Sequence, residues 1–559
     1  KDMKYRYNWN APIIASPHDP SVLYHAGNVL FKTIDGGMSW TPISPDLTRN
    51  DTTKQGKGGG PFTNEGAGGE NYNTISYLIE SPLEQGLLYT GSDCGLVYRT
   101  RDGGERWENV TPEGLPECLI HSIEVSPHDA GTAYLAATRY KLNDYSAMTY
   151  KTTDYGETWT KITDGIDEAD FIKVVREDPV RPGLLYGGAE RGFYVSFDGG
   201  GRWQRLQLNL PVVPVNDLIV RDNDLVAATQ GRAFWILDDL SPLQQAGSDF
   251  GDAVIALYAP KPAVRFGGGG RSRAATYGAN PETGILLTYY LAEAADSNRL
   301  TLEILDETGE VIRSYTNQED KDYQRYPGGP PAPARLPDEV GLNRFAWDFR
   351  TEVLPDVPDV FIYGDYRGHR VAPGAYRARL TYGGHVAEAD LEVLPDPRLD
   401  AGMADWAAQQ AMLERINGHI ADIHGGINDM RRLKKQIGMY NDLMADLEGK
   451  EALLQAGKDL VKKIDAWESK VVEGRQKNTQ DVINWPSKLN AEFFTLRRKV
   501  DTHDPRIPQG VRDRLADLET EWRGHRAAMD ALLNEEVRAY NELFRTQEVP
   551  ALILPEPGK

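Results

Sequence analysis

The chain has 559 residues, with 83 acidic against 62 basic side chains, a net charge of −21 and a pI near 5.0. That balance argues against nucleic acid or an anionic membrane as partner, and no apolar run approaches the roughly 20 residues of a membrane span. Cys94 and Cys118 are the only cysteines, which excludes a thiol-based metal cluster and leaves open whether they pair or stand as two buried thiols. A chain of this length is expected to form about three domains.

The N-terminus already alternates as a strand, Tyr5-x-Tyr7-x-Trp9. Beyond it, one turn motif occurs four times: Thr33-x-Asp35-x-Gly37-x-Ser39-Trp40, Thr100-x-Asp102-x-Gly104-x-Arg106-Trp107, Thr152-x-Asp154-x-Gly156-x-Thr158-Trp159 and Ser196-x-Asp198-x-Gly200-x-Arg202-Trp203. In such a hairpin Asp accepts hydrogen bonds from nearby N–H groups, Gly supplies a positive φ, and Trp packs on a neighbouring unit. Each motif follows two strand-like runs ahead of its own strand, as in Ser122–Val125 and Ala133–Leu135 before Met148–Tyr150. A fifth unit without the motif spans Asn216–Val220, Asp224–Thr229 and Ala233–Leu237. The expectation is five four-stranded blades of a β-propeller over residues 1–242.

Residues 243–282, Gly-rich and weakly periodic, read as a linker. Alternating strands from 283 to 397 suggest a seven-stranded immunoglobulin or fibronectin type III-like sandwich. From 398 the period becomes helical. Leu413, Ile416, Ile420, Ile423, Ile427, Met430 and Ile437 stripe one long helix. Leu453 to Val471 stripe a second, a third runs from Pro486 at its first turn to Val500, and Val511 to Leu532 stripe a fourth. The reading is an antiparallel helical bundle to residue 548, with a docking tail over 549–559. No E-x-x-H pattern supports a di-iron bundle, and no metal or cofactor is expected.

On its four turns the chain resembles the bacterial Asp-box (BNR) repeat β-propeller proteins, sortilin-like and catalogued as glycosyl hydrolases. The resemblance implies that Asp35, Asp102, Asp154 and Asp198, with their Gly and Trp partners, are structural. It also implies that function sits on the face opposite the boxes. Loops opening there carry Glu65, Glu70, Asp93, Arg139, Tyr140, Asp144, Glu190, Arg191, Gln230 and Arg232, with His121 close by. Of these, Glu65, Asp93 and Glu190 are the acids that could serve glycoside hydrolysis, which needs two carboxylates flanking one bond. Three functions stay open: recognition of a polysaccharide or extended peptide, a glycoside hydrolase or polysaccharide lyase, and a structural subunit of an extracellular assembly. Recognition is preferred because no acid/base pair stands out. The resembled proteins usually have more blades upstream, so the chain reads as the C-terminal portion of a processed secreted, periplasmic or cell-surface protein. A raw propeller edge is an association hazard, so a second polypeptide is expected to complete the ring.

Overall fold

The computed structural model describes residues 4–55, 71–246, 253–267, 278–295, 299–445, 447–547 and 549. The chain divides into two compact units, residues 1–250 and 251–559. Among the described residues no helix is long and apolar enough to cross a membrane.

The first unit contains antiparallel sheets in which each strand pairs with the next in sequence: 13–42, 75–109, 119–161, 172–205 and 215–237. The first strands of consecutive sheets adjoin, so the sheets are stacked edge-inward along a common line. Sheets between two neighbours bury both faces; the strand Leu185–Ala189 is buried throughout. The fifth sheet has three described strands instead of the expected four. It lacks the turn motif, and after Phe234–Leu237 the chain is drawn into a short helix, Ser241–Gln245, by Asp239 N–H donating to Asp224 and Leu240 N–H to the Asn223 carbonyl.

The four turns share one hydrogen-bond scheme. Asp35 Oδ1 accepts from Ser39 N at 2.9 Å and from the Thr33 hydroxyl at 2.7 Å, while Gly37 N donates to Thr33 Oγ1 at 3.0 Å. Asp102, Asp154 and Asp198 repeat it. The motif glycines Gly37, Gly104, Gly156 and Gly200 have φ of 90–108°, a region costly for any side chain. Three of the four tryptophans then stitch their sheet to the one before it. Trp107 Nε1 donates to the Ile43 carbonyl, Trp159 Nε1 to Val110 and Trp203 Nε1 to Ile162, at 2.7–3.0 Å. In every case the acceptor lies three residues beyond the preceding turn's own Trp. Asp154→Ala is expected to destabilise the first unit by about 1–3 kcal/mol through lost turn hydrogen bonds. Urea unfolding measures it, and an unchanged midpoint would remove the structural role.

In the second unit a three-stranded sheet (Ile255–Tyr258, Ile285–Leu291, Gly341–Trp347) faces a five-stranded one in the order Ala263–Arg265, His385–Pro395, Gly374–Tyr382, Thr301–Leu305, Val311–Thr316. Leu287, Tyr289, Leu302, Ile304, Trp347, Leu380 and Leu391 share the core between them. Two departures from expectation follow from pairing. Residues 243–282 are not simply a linker: the apolar run ending at Tyr258 pairs with Ile285–Leu291, and Ala263–Arg265 runs parallel to the strand ending at Pro395. Among the described residues the strand total is consequently eight rather than seven. The Gly-rich stretch 268–277 lies outside the described residues.

The helical region follows the stripes. A 42-residue helix, Met403–Met444, packs its isoleucines on Leu460, Ile464 and Trp467 of Glu451–Val471, Phe493 and Phe494 of Leu489–Val500, and Leu518 and Trp522 of Gln509–Ala531. Pro486 does not open the third helix. Gln476 Nε2 donates to the Trp485 carbonyl and Lys488 is extended, so helical geometry begins only at Leu489. Residues 353–366, between the sheets and the bundle in sequence, also enter the helical core through Val357, Val360, Ile362 and Tyr366. The tail from 550 lies outside the described residues.

Candidate functional site

In four consecutive sheets the first strand carries one residue more than the strand opposite. Ile75 pairs with Ser92 and Tyr77 with Gly91, leaving Ser76 over. The same step leaves His121, Lys173 and Asn216 unmatched in the next three sheets. A bulge re-aims its extra side chain, and here it does so at one level along the line of first strands. The residue opposite each bulge is small: Gly91, Ala136, Gly188 and Ala228. A Cβ on Gly91 would lie 2.2 Å from Ile120 of the adjoining sheet, which shows why no larger residue fits.

The bulged residues form a polar group with an aromatic border. Lys173 Nζ lies 2.7 Å from Glu190 Oε2 and donates to Asn216 Oδ1 at 3.2 Å. It also sits 5.8 Å from the Tyr140 ring centroid and 5.9 Å from that of Phe171. Tyr140 stacks on Phe171 with centroids 5.6 Å apart and planes 5° apart, and Tyr145 lies 6.3 Å from the same ring. The left-handed Asn143, φ 57°, ends the turn Tyr140–Leu142 and returns the chain so that both tyrosines reach Phe171. Tyr145 is 45% exposed. Burial, reinforced by the Lys173 charge, pulls His121 down to about 4, so its imidazole is neutral at neutral pH.

A second layer lies beside this one. Arg176 Nη2 donates to Tyr77 Oη at 3.2 Å and Asp217 Oδ1 at 2.8 Å; Nη1 meets Glu124 Oε2 at 3.3 Å, and Nε donates to the Leu218 carbonyl. One guanidinium thereby joins the first strands of four sheets. Burial pushes the Glu124 carboxyl up to about 7, with Arg176 opposing. Although burial disfavours its charge, Tyr77, Glu124 and Asp217 hold Arg176 above its ordinary value.

Among the sequence candidates, Tyr140, Glu190 and His121 fall in this group. Arg139 and Asp144 pair with each other at 2.6 Å, and Arg139 Nε also donates to the Glu117 carbonyl. Asp93 is buried and takes both hydrogen bonds from Thr74, its N–H at 3.0 Å and its hydroxyl at 2.9 Å. Asp93 and Glu190 thus have separate partners. Arg191 N–H donates to Asp170 Oδ1; Gln230 and Arg232 are exposed. Glu65 and Glu70 lie outside the described residues. Cys94 and Cys118 are free buried thiols. Among the described residues no group of three His, Cys, Asp or Glu side chains is arranged to hold a metal ion. Sequence reading missed Lys173, Asn216, Tyr77, Glu124 and Arg176. The small residues inside otherwise large-residue second strands, as in Tyr186-Gly187-Gly188-Ala189, were the available signal.

Burial lifts the Asp93 carboxyl to about 7. A carboxyl raised above its unfolded value near 3.9 binds more protons in the folded state, so its contribution to stability falls as pH rises from about 4 to 7. The depressed His121 acts oppositely, costing stability as pH falls below about 6.5. Asp93→Asn isolates the first effect: the variant is expected to gain in melting temperature on wild type between the acid and neutral ends of that window. A difference independent of pH would show that Asp93 is ionised throughout.

No family model matches the chain. Two curated proteins are similar over short stretches. A probable oligoxyloglucan-reducing end-specific xyloglucanase of Neosartorya fischeri is 24% identical over 191 residues, covering 24% of this chain and 23% of that protein. An oligoxyloglucan-reducing end-specific xyloglucanase of Emericella nidulans is 27% identical over 148 residues, covering 24% of this chain and 18% of that protein. The chain therefore spans less than a quarter of the length of these curated relatives. Similar solved structures include an ancestral GH74 enzyme (13% identity, TM-score 0.32, 58% of this chain and 40% of that one). Others are the GH74 xyloglucanase of Xanthomonas campestris (12%, 0.32, 51% and 42%) and YCF48 bound to D1 peptide (18%, 0.28, 39% and 62%).

Proposed function

We propose that the first unit is an arc of an Asp-box β-propeller, and that the protein is a secreted or periplasmic recognition protein for polysaccharide. The observation that carries this is the pair of accessible rings Tyr140 and Tyr145, backed by the buried Phe171, beside the bulge-presented Lys173–Glu190 pair and Asn216. Flat aromatic faces with a few fixed polar groups are what an extended sugar chain needs for stacking and orientation. Binding of soluble xyloglucan to the full chain, followed by calorimetry, tests it. Tyr145→Ala is expected to weaken binding roughly tenfold, on the order of 1.4 kcal/mol. Binding of an extended peptide alone, or of xyloglucan with no dependence on Tyr145, would overturn it.

A glycoside hydrolase reading is favoured by one observation, the sequence similarity to two xyloglucanases. It predicts cleavage of xyloglucan oligosaccharides that is lost in Glu190→Gln.

The same proposal has the ring completed by further blades from a second polypeptide. Two features support it. Trp107, Trp159 and Trp203 each grip the preceding sheet, whereas Trp40 belongs to the first described sheet and packs edge-on against His25 of that same sheet. At the other end the fifth sheet turns Ile219, Ile236 and Phe234 outward at 56%, 57% and 75% exposure. An immunoglobulin-like role for the paired sheets of the second unit, as a spacer, belongs to this reading as well.

A further inference from the structure

The second unit holds a cavity of about 520 Å3 between the 361–370 segment and the end of the helix Leu489–Val500. Its wall carries five guanidinium groups, Arg350, Arg367, Arg370, Arg497 and Arg498, against two carboxylates, Asp365 and Asp501. That is a surplus of three positive charges in a chain whose net charge is −21. Including Asp348, 3.5 Å from Arg350 Nε, still leaves two.

The available carboxylates are already shared or engaged. Asp501 serves both Arg350 at 3.3 Å and Arg370 at 3.9 Å, and Asp365 is held by Arg367 at 2.7 Å. Arg497, 4% exposed, donates to the Asp365 and Arg367 carbonyls, which orient it without neutralising it. Its Nε, also buried, has no hydrogen-bond partner among the described residues. Burial accordingly pushes this guanidinium below its ordinary value. Arg498 rests on the Tyr363 ring, 5.2 Å from its centroid, and among the described residues meets no carboxylate. Arg497 shares the fields of Asp501 and Asp365 with Arg350, Arg370 and Arg367; a buried charge so incompletely compensated is costly, and guanidinium forks match oxyanions in geometry.

We propose that this cavity binds a doubly charged oxyanion group, phosphate or sulfate. Arg370, Arg498 and the buried Arg497 Nε supply the donors, and Phe361 and Phe494 line the apolar part of the wall. The surplus of at least two charges selects a divalent group over a monovalent carboxylate. The site is independent of the propeller rim and of any activity there.

Titration calorimetry on the full chain at low ionic strength tests the assignment, using inorganic phosphate, inorganic sulfate and acetate. Phosphate or sulfate is expected to bind one per chain and acetate far more weakly. The double variant Arg370→Gln/Arg498→Gln is expected to lose affinity by roughly tenfold or more while keeping its melting temperature without anion. A hexose phosphate and a hexose sulfate form the second arm. Tighter binding than the inorganic ions identifies a sugar-borne group, and equal binding identifies the anion alone. Absence of binding at millimolar anion, or binding unchanged in the double variant, overturns the proposal.

Discussion

Arg176→Ala is expected to cost the first unit about 3–5 kcal/mol, because it strips the counter-charge from a carboxylate held between sheets. Glu124 is nearly buried and reaches Arg176 at 3.3 Å, and Tyr77 and Asp217 depend on the same guanidinium. The loss is mostly the penalty of stranding Glu124, not the worth of the pair. The combined replacement Tyr77→Phe/Glu124→Leu/Arg176→Met, which removes every polar member together, should therefore come close to wild type. Urea unfolding above the Glu124 pKa of about 7, where the carboxylate is ionised beside Arg176, separates these outcomes. A single variant within about 1 kcal/mol of wild type would mean that water replaces the guanidinium without cost.

Trp203→Ala is expected to be as damaging, about 3–5 kcal/mol, through loss of a buried ring and creation of a cavity. The indole is 1% exposed and lies so close to Gly187 that a Cβ there would meet it at 2.9 Å. Its Nε1 holds the Ile162 carbonyl of the sheet before. Trp40→Ala is expected to cost only about 1 kcal/mol in the chain alone, since Trp40 has no described sheet before it. If further blades adjoin the first sheet, as proposed, the two substitutions should converge in that assembly. Unfolding of both variants in the chain alone measures the difference. Equal costs in the isolated chain would remove the argument for a missing neighbour.

The turns were legible because their chemistry is local: five or six consecutive residues carry the Asp acceptor, the hydroxyl donor and the positive-φ glycine. The helices were legible through their spacing, since Ile416, Ile420, Ile423 and Ile427 can share a face only in a helix. The axial network was not. Each first strand reads as an ordinary alternation, yet the extra residue at Ser76, His121, Lys173 and Asn216 shifts which side chains face inward beyond it. Whether Glu124 meets an arginine depends on two such shifts in different sheets. The parallel strand Ala263–Arg265 was equally hidden, because three residues are too few to show a period and its partner lies beyond residue 390.

The tryptophan stitches run one way: the second, third and fourth sheets each hold the one before, and no described stitch holds the one after. An interface of this kind is head-to-tail, and identical copies joined so would grow into open filaments unless something stopped them. The fifth sheet is built differently. With three described strands and no turn of the stitching type, it offers no carbonyl three residues past a turn Trp for the Trp40 of another copy to grip. One missing motif thus denies a second copy the acceptor that a filament joined by this stitch would need.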